Sequence, residues 1–404
     1  MERLKVLFVQ SQTFFGSDSM IHSLIMKELD RDEVDVFIAC NPGDGPEVSF
    51  SLAALRQLDR VTIIPMTFGP TTNSRKRSEI ILSTLAGGAK GARDLVRLAR
   101  FVRKNKIAIV HGTEKPRDAF YGYLVAKAGG ARAVTHLHVK IEGWISPLTR
   151  WAMRRDAGLI AVSEFVRQSA IDFGYDGGKI FTAVNAIEAD RWNPKTDGTQ
   201  VRREFDIPDD VAVLSIISRL TPWKGHALLL DALALVAENG HDFRLLLVGE
   251  DDPRATPGGV SFTGDLKPQV ERLGLQEQVI FTGWRTDVEA LLAASDIYAM
   301  PTFEEPCAVA FLEAMAMGKA IVALDSGGTP EEIQDEESGL LSPVGDASAL
   351  AKNIERLLAS PEDRERLGSN ALRSVRSYFV PPRLAADVLA AYRVILGSSQ
   401  REPS

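Results

Sequence analysis

Val211-Ala212-Val213-Leu214-Ser215-Ile216-Ile217-Ser218-Arg219-Leu220-Thr221-Pro222-Trp223-Lys224-Gly225 reads as a short apolar strand running into a polar turn, with a helix from His226. A strand that is apolar throughout is one covered on both faces, and a helix directly after it is the first half of a parallel crossover. The rhythm continues downstream. Strands are expected at Phe243–Val248, Val279–Thr282, Ile297–Met300 and Ala320–Ala323, with helices at His226–Glu238, Lys267–Leu273, Val288–Ala294, Phe311–Met317 and Ala347–Leu358.

The same alternation precedes this stretch. Strands are expected at Lys5–Val9, Val34–Ala39, Val61–Pro65, Ile107–His111, Ala133–His138 and Gly158–Val162. Helices are expected at Ser19–Leu29, Ala92–Lys104 and Glu164–Phe173, the last with Ser163 placed as its cap. This is an α/β pattern with parallel sheets. It weakens at Asn193-Pro194-Lys195-Thr196-Asp197-Gly198, a turn-rich stretch that divides the chain into 1–195 and 196–378. A last helix, Leu384–Leu396 after Pro381-Pro382, lies in 379–404 and is long enough to fold back on the first domain. Ligands of such sheets bind beyond the C-terminal strand ends, so two domains facing each other would hold ligand in a cleft.

The bulk properties agree. A chain of 404 residues exceeds what one core usually supports. Net charge is -7, which gives no global pull towards nucleic acid. The two cysteines, Cys40 and Cys307, show no metal or disulfide spacing, and no run of about 18 apolar residues occurs. The expected location is the cytoplasm.

Three segments carry chemistry. Arg219 and Lys224 lie beside a helix start at the ligand end of a strand, where a fork and a point charge can hold a diphosphate. In Thr302-Phe303-Glu304-Glu305-Pro306-Cys307-Ala308-Val309-Ala310-Phe311-Leu312-Glu313, Glu305 sits in a loop and Glu313 in an otherwise apolar helix. A carboxylate in that setting needs partners, and vicinal sugar hydroxyls can donate to it. Gly327-Gly328-Thr329-Pro330-Glu331 permits close backbone approach before a helix. Phe14-Phe15-Gly16-Ser17 contains no G-x-G-x-x-G, which argues against a dinucleotide-dependent oxidoreductase.

Taken in order, these segments resemble retaining glycosyltransferase family 4. Glu305 and Glu313 are similar to its E-x7-E element, Ser218-Arg219-Leu220 with Lys224-Gly225 to its phosphate-binding segment, and Gly327–Glu331 to its glycine-rich loop. Phe281-Thr282-Gly283, Ala294-Ser295-Asp296-Ile297 and Gly339-Leu340-Leu341 follow in the family's order. The resemblance implies a GT-B fold of two Rossmann-like domains, with 1–195 binding acceptor and 196–378 binding a nucleotide-sugar donor. It implies that Arg219 and Lys224 stabilise the diphosphate, Glu313 binds ribose hydroxyls and Glu305 contacts the transferred sugar. Cys307, Ala308 and Val309 would offer backbone N–H groups, Gly249 and Gly283 would line the donor side, and Gly16 would sit by phosphate and acceptor. The strand Ala133–His138 resembles one ending in an active-site histidine, which is His138 or, on the same strand face, His136. His111 also ends a strand. Two positions depart from the family: Cys307-Ala308 stands for Phe-Gly, and Asn185-Ala186 for Asn-Gly.

The implied reaction moves a hexose from a UDP- or GDP-sugar to a glycan or lipid-linked acceptor, in cell-envelope or exopolysaccharide synthesis, with no metal and no cofactor. Two alternatives share the architecture: a nucleotide-sugar 2-epimerase and a catalytically silent nucleotide-sugar-binding subunit. The acceptor is where the residues say least. Between Arg75 and Lys106 lie ten basic residues against Glu79 and Asp94. Arg93, Arg97, Arg100 and Lys104 share one helix face, opposite Leu95, Leu98 and Val102, a pattern suited either to solvent or to the anionic inner face of a membrane.

Overall fold

In a computed structural model the chain is described over residues 3–12, 16–42, 50–68, 77–251 and 262–397. Phe14, Phe15, Arg75 and Lys76 lie outside the described residues. The chain forms two compact units, Met1–Asn185 with Pro381–Ser404 and Ala186–Val380. The division falls before the turn-rich stretch at Asn193. The Ile187 N–H donates to the Phe379 carbonyl at 3.1 Å, which ties residues just past Asn185 to the end of the second unit.

The first unit contains β1 (Leu4–Gln10), β2 (Val34–Cys40), β3 (Val61–Pro65), β4 (Ile109–Thr113), β5 (Arg132–Leu137), β6 (Gly158–Ala161) and β7 (Ile180–Thr182). They form one parallel sheet in the order β3-β2-β1-β4-β5-β6-β7. The second unit contains β8 (Ala212–Ile217), β9 (Phe243–Val248), β10 (Val279–Gly283), β11 (Ile297–Met300), β12 (Ala320–Leu324) and β13 (Leu340–Ser342). Its parallel order is β10-β9-β8-β11-β12-β13. Every residue of β4, β6, β11 and β12 is buried, as strands covered on both faces must be. Both sheets are doubly wound, and strand order reverses between β1 and β4 and between β8 and β11. The loops beyond those strands are where such folds bind ligand.

Local differences from the sequence expectations have physical reasons. β4 starts at Ile109 rather than Ile107: Lys106 adopts φ 53° and the Ile107 N–H caps the preceding helix through the Val102 carbonyl. That helix is longer than expected, Arg77–Asn105. Pro116 begins the helix Pro116–Gly129, where its missing N–H costs nothing. The helix Pro361–Ser377 is largely polar and shows the core only Leu367, Gly368, Ala371 and Val375. The C-terminal helix, Pro381–Gly397, belongs to the first unit, and Arg383 donates there to the carbonyls of Val184 and Asn185 at 2.8 and 3.2 Å.

Ser163 caps Glu164–Asp172, its hydroxyl accepting from the Val166 N–H at 3.2 Å. Ser163→Ala is therefore expected to lower stability by about 1 kcal/mol in chemical denaturation; an unchanged midpoint would show that the cap contributes nothing.

Candidate functional site

The reversal point of the second sheet collects the charged set. The loop after β8 turns through Pro222–Lys224 into the helix His226–Glu238. Gly225 makes the turn possible: its φ is 76°, and a Cβ there would lie 1.8 Å from the Pro301 carbonyl oxygen. The loops after β8 and β11 are thus in backbone contact. Across that contact the Lys224 ammonium donates to Glu305 Oε2 at 2.6 Å, both side chains being largely buried. The Thr302 hydroxyl donates to the same oxygen at 2.8 Å, and the Trp223 carbonyl accepts from Phe303 N–H at 2.8 Å. Glu305 is further held through its own carbonyl, which accepts from Gly328 N–H at 2.7 Å. Gly327, with φ 62°, leaves no room for a Cβ against the Glu304 and Glu305 backbone. The glycine-rich loop after β12 is therefore a backbone support for Glu305.

Glu313 lies on the helix Val309–Ala316, partly exposed while Phe311, Leu312, Ala314 and Met315 are buried. Burial raises its carboxyl pKa to about 7, and the positive charge of Arg191 opposes the shift. Arg219 is exposed at the start of its loop. Gly249, with φ 138°, lets two backbone segments meet: a Cβ would sit 1.9 Å from the Ser218 carbonyl oxygen, and its N–H donates to the Gly283 carbonyl at 3.0 Å. Gly283 has φ 71° and open space beyond its Cα. Beside it Trp284 is exposed, while Arg285 pairs with Glu204 and Asp287.

The Ala308 N–H, which the resemblance places towards the donor, donates to Glu332 Oε2 at 2.7 Å. Glu332 is a residue the sequence reading passed over. It is buried at the end of the helix Thr329–Glu332, and its other oxygen has no hydrogen-bond partner among the described residues. Desolvation holds its carboxyl well above the ordinary range; the Ala308 amide pulls back, Glu305 pushes further up and Cys307 also opposes. The signal available in sequence was only the second glutamate after Gly-Gly-Thr-Pro. Cys307 is itself buried, and Val309 opens the helix that carries Glu313.

The first unit gathers polar groups at the corresponding strand ends. Gly16 precedes the helix Ser17–Glu28, and its carbonyl accepts from Met20 N–H at 2.9 Å. Asp18 in that first turn pairs closely with Lys115, which also donates to Gln12 at 2.5 Å. Asp118 accepts from the Ser11 N–H and the Thr113 hydroxyl, each at 2.9 Å. Glu114, buried after β4, accepts from the His138 N–H at 3.0 Å. Desolvation raises its carboxyl to about 7, offset in part by that amide. None of these carboxylates was singled out from sequence, because nothing in their spacing brings the ends of β1, β4 and β5 together.

His138 stands just past β5 and is partly exposed; His136 and His111 lie within β5 and β4 and are fully buried. With His22 they form one cluster of imidazoles, ring centroids 4.5–5.4 Å apart along the contacts His136–His138, His22–His111, His22–His138, His111–His136 and His22–His136. Burial lowers the pKa of every member, to about 4 for His22 and well below the ordinary value for the other three. In all four, burial disfavours the charged form.

Known proteins agree with this geometry. Residues 197–374 match the family model described as glycosyl transferases group 1, and residues 24–191 that of glycosyltransferase family 4. The chain belongs to this family. Among its relatives, 2-deoxystreptamine glucosyltransferase of Streptomyces kanamyceticus is 27% identical over 54% of this chain and 55% of its own length. N-acetyl-alpha-D-glucosaminyl L-malate synthase of Bacillus anthracis is 27% identical over 74% and 78%. A GDP-mannose-dependent phosphatidylinositol monomannoside mannosyltransferase of Mycolicibacterium smegmatis is 29% identical over 67% and 72%. The match thus spans between about half and about three quarters of these relatives. In three dimensions the chain is similar to Anabaena HepE in complex with UDP, with TM-score 0.78 and 21% identity over 97% of this chain and all of that one. Sucrose-phosphate synthase of Thermosynechococcus elongatus gives 0.76 and 18% over 98% and 100%. The two doubly wound units are those of the GT-B fold.

Proposed function

We propose that the protein is a retaining hexosyltransferase that takes its sugar from a UDP- or GDP-sugar and passes it to a glycan or lipid-linked acceptor of the cell envelope or an exopolysaccharide. The observation that carries this reading is the Lys224–Glu305 pair at the reversal point of the second sheet, with Glu313 on the helix that follows. Arg219 and Lys224 would neutralise the diphosphate as the glycosidic bond breaks, a role in which one group typically supplies roughly 3–4 kcal/mol. Glu313 would accept from the ribose hydroxyls and Glu305 from the sugar, and His138, past β5, would contact the transferred sugar. The front-face route suits this set: the departing phosphate oxygen takes the acceptor's proton, and no protein nucleophile is needed. Support from relatives is that HepE binds UDP-glucose and the mycobacterial enzyme depends on GDP-mannose.

A calorimetric panel of UDP, GDP, ADP and CMP on wild type and Glu313→Ala tests the donor site. One nucleoside diphosphate should bind wild type, with the variant weaker by roughly 1.5–3 kcal/mol, the value of hydrogen bonds to a charged group. A carboxylate must be ionised to accept from both hydroxyls. Because the Glu313 pKa is raised to about 7, affinity should fall as pH is lowered through that value and level off above it. Binding of no diphosphate, or equal binding by the variant, would remove the donor assignment.

We also propose that the acceptor is met at an anionic surface. Arg93, Arg97, Arg100 and Lys104 are all exposed on the helix Arg77–Asn105, while Leu98 and Val102 are buried beneath. Among the described residues no helix is long and apolar enough to cross a membrane, so contact would be peripheral. Sedimentation with vesicles should retain the protein only when anionic lipid is present, and salt should release it. Failure to bind at low salt would leave this helix face as ordinary solvated surface.

A further inference from the structure

The histidine cluster of the first unit is larger than the transfer reaction requires. Four of the chain's six histidines occur there. One ring nitrogen from each of His22, His111 and His136 can be chosen so that all three lie within 4.8 Å of one another. All three residues are buried. Nε2 of His111 and both ring nitrogens of His136 are buried with no hydrogen-bond partner among the described residues. Ring stacking does not satisfy these atoms, and leaving them bare is costly.

We propose that His22, His111 and His136 bind a divalent transition-metal ion of the zinc type. Two nitrogens on one tetrahedral zinc, each about 2.0–2.1 Å from the metal, stand about 3.4 Å apart. The three chosen nitrogens lie within 4.8 Å of one another, so a pair at that limit must close by about 1.4 Å to reach the tetrahedral separation. An outer partner is already present. The Tyr392 hydroxyl lies 2.5 Å from Nδ1 of His111, which fixes the ring and leaves Nε2 for the ion. The ligand chemistry selects the metal: imidazole nitrogen suits zinc, copper, nickel or iron, and not magnesium or calcium, which prefer oxygen.

The ligands come from separate segments: the helix Ser17–Glu28, β4 and β5, with the C-terminal helix held through Tyr392. An ion there would tie these segments together. It lies in the first unit and is distinct from the proposed diphosphate clamp, so its test needs no donor or acceptor. Chelator-stripped full-length protein titrated with zinc chloride, followed by metal analysis after gel filtration, should retain one zinc per chain. Its melting temperature should rise with zinc and not with magnesium. His136→Phe and His22→Phe keep an aromatic ring in the cluster and should each weaken zinc binding at least tenfold; Tyr392→Phe should weaken it by roughly 10–100-fold. If His136→Phe does not fold, His22→Phe and the wild-type stoichiometry still decide. No retained zinc in wild type, or zinc binding undiminished in the folded variants, would overturn the proposal.

Discussion

The second unit depends on one ion pair made across two backbone loops. Lys224 reaches Glu305 only because Gly225 lets the loop after β8 lie against Pro301, and Glu305 is presented only because Gly327 and Gly328 let the loop after β12 pass beneath it. Three strand ends are thereby fixed to one another at the place where strand order reverses. Pairs this well buried gain little net stability over an apolar substitute, yet removing one partner strands the other charge. Such a pair makes sense where charge is needed for a ligand, and an arriving diphosphate would share the Lys224 ammonium with Glu305.

Carboxyl groups around that pair are sorted by burial. Glu332 is deep and held well above the ordinary range, Glu313 is partly exposed and raised to about 7, and each depends on desolvation first. The first unit shows the same principle in Glu114, and the opposite one in its imidazoles, whose charged form burial disfavours. A protein that buries this many titratable groups at strand ends gives up stability for pre-organised polar sites.

Much of this was legible in the residues. Strands buried on both faces are apolar runs, so β8, β9 and β11 stand out, and a charged residue directly past such a run is at the ligand end by construction. Arg219, Lys224 and Glu305 were found on that logic. β7 and β13, three residues each, carry too little pattern to be seen. The helix after Pro116 was hidden because proline reads as a stop, whereas here it is a start. The roles of Thr302, Glu332, Glu114 and Asp118 are tertiary: each depends on which loops the sheet order makes neighbours. The histidine cluster is the clearest case, since His22 and His111 meet His136 only through the β1-β4-β5 order and the helix laid over it.

Under the proposed function, Lys224 and Glu305 would act as one unit in holding the donor. The direct measurement is a double-mutant cycle on nucleoside diphosphate affinity, using Lys224→Ala, Glu305→Gln and the double variant. A coupling of at least about 1 kcal/mol is expected, the double variant losing less than the sum of the two single losses. Strict additivity, with each substitution acting without regard to the other, would contradict it.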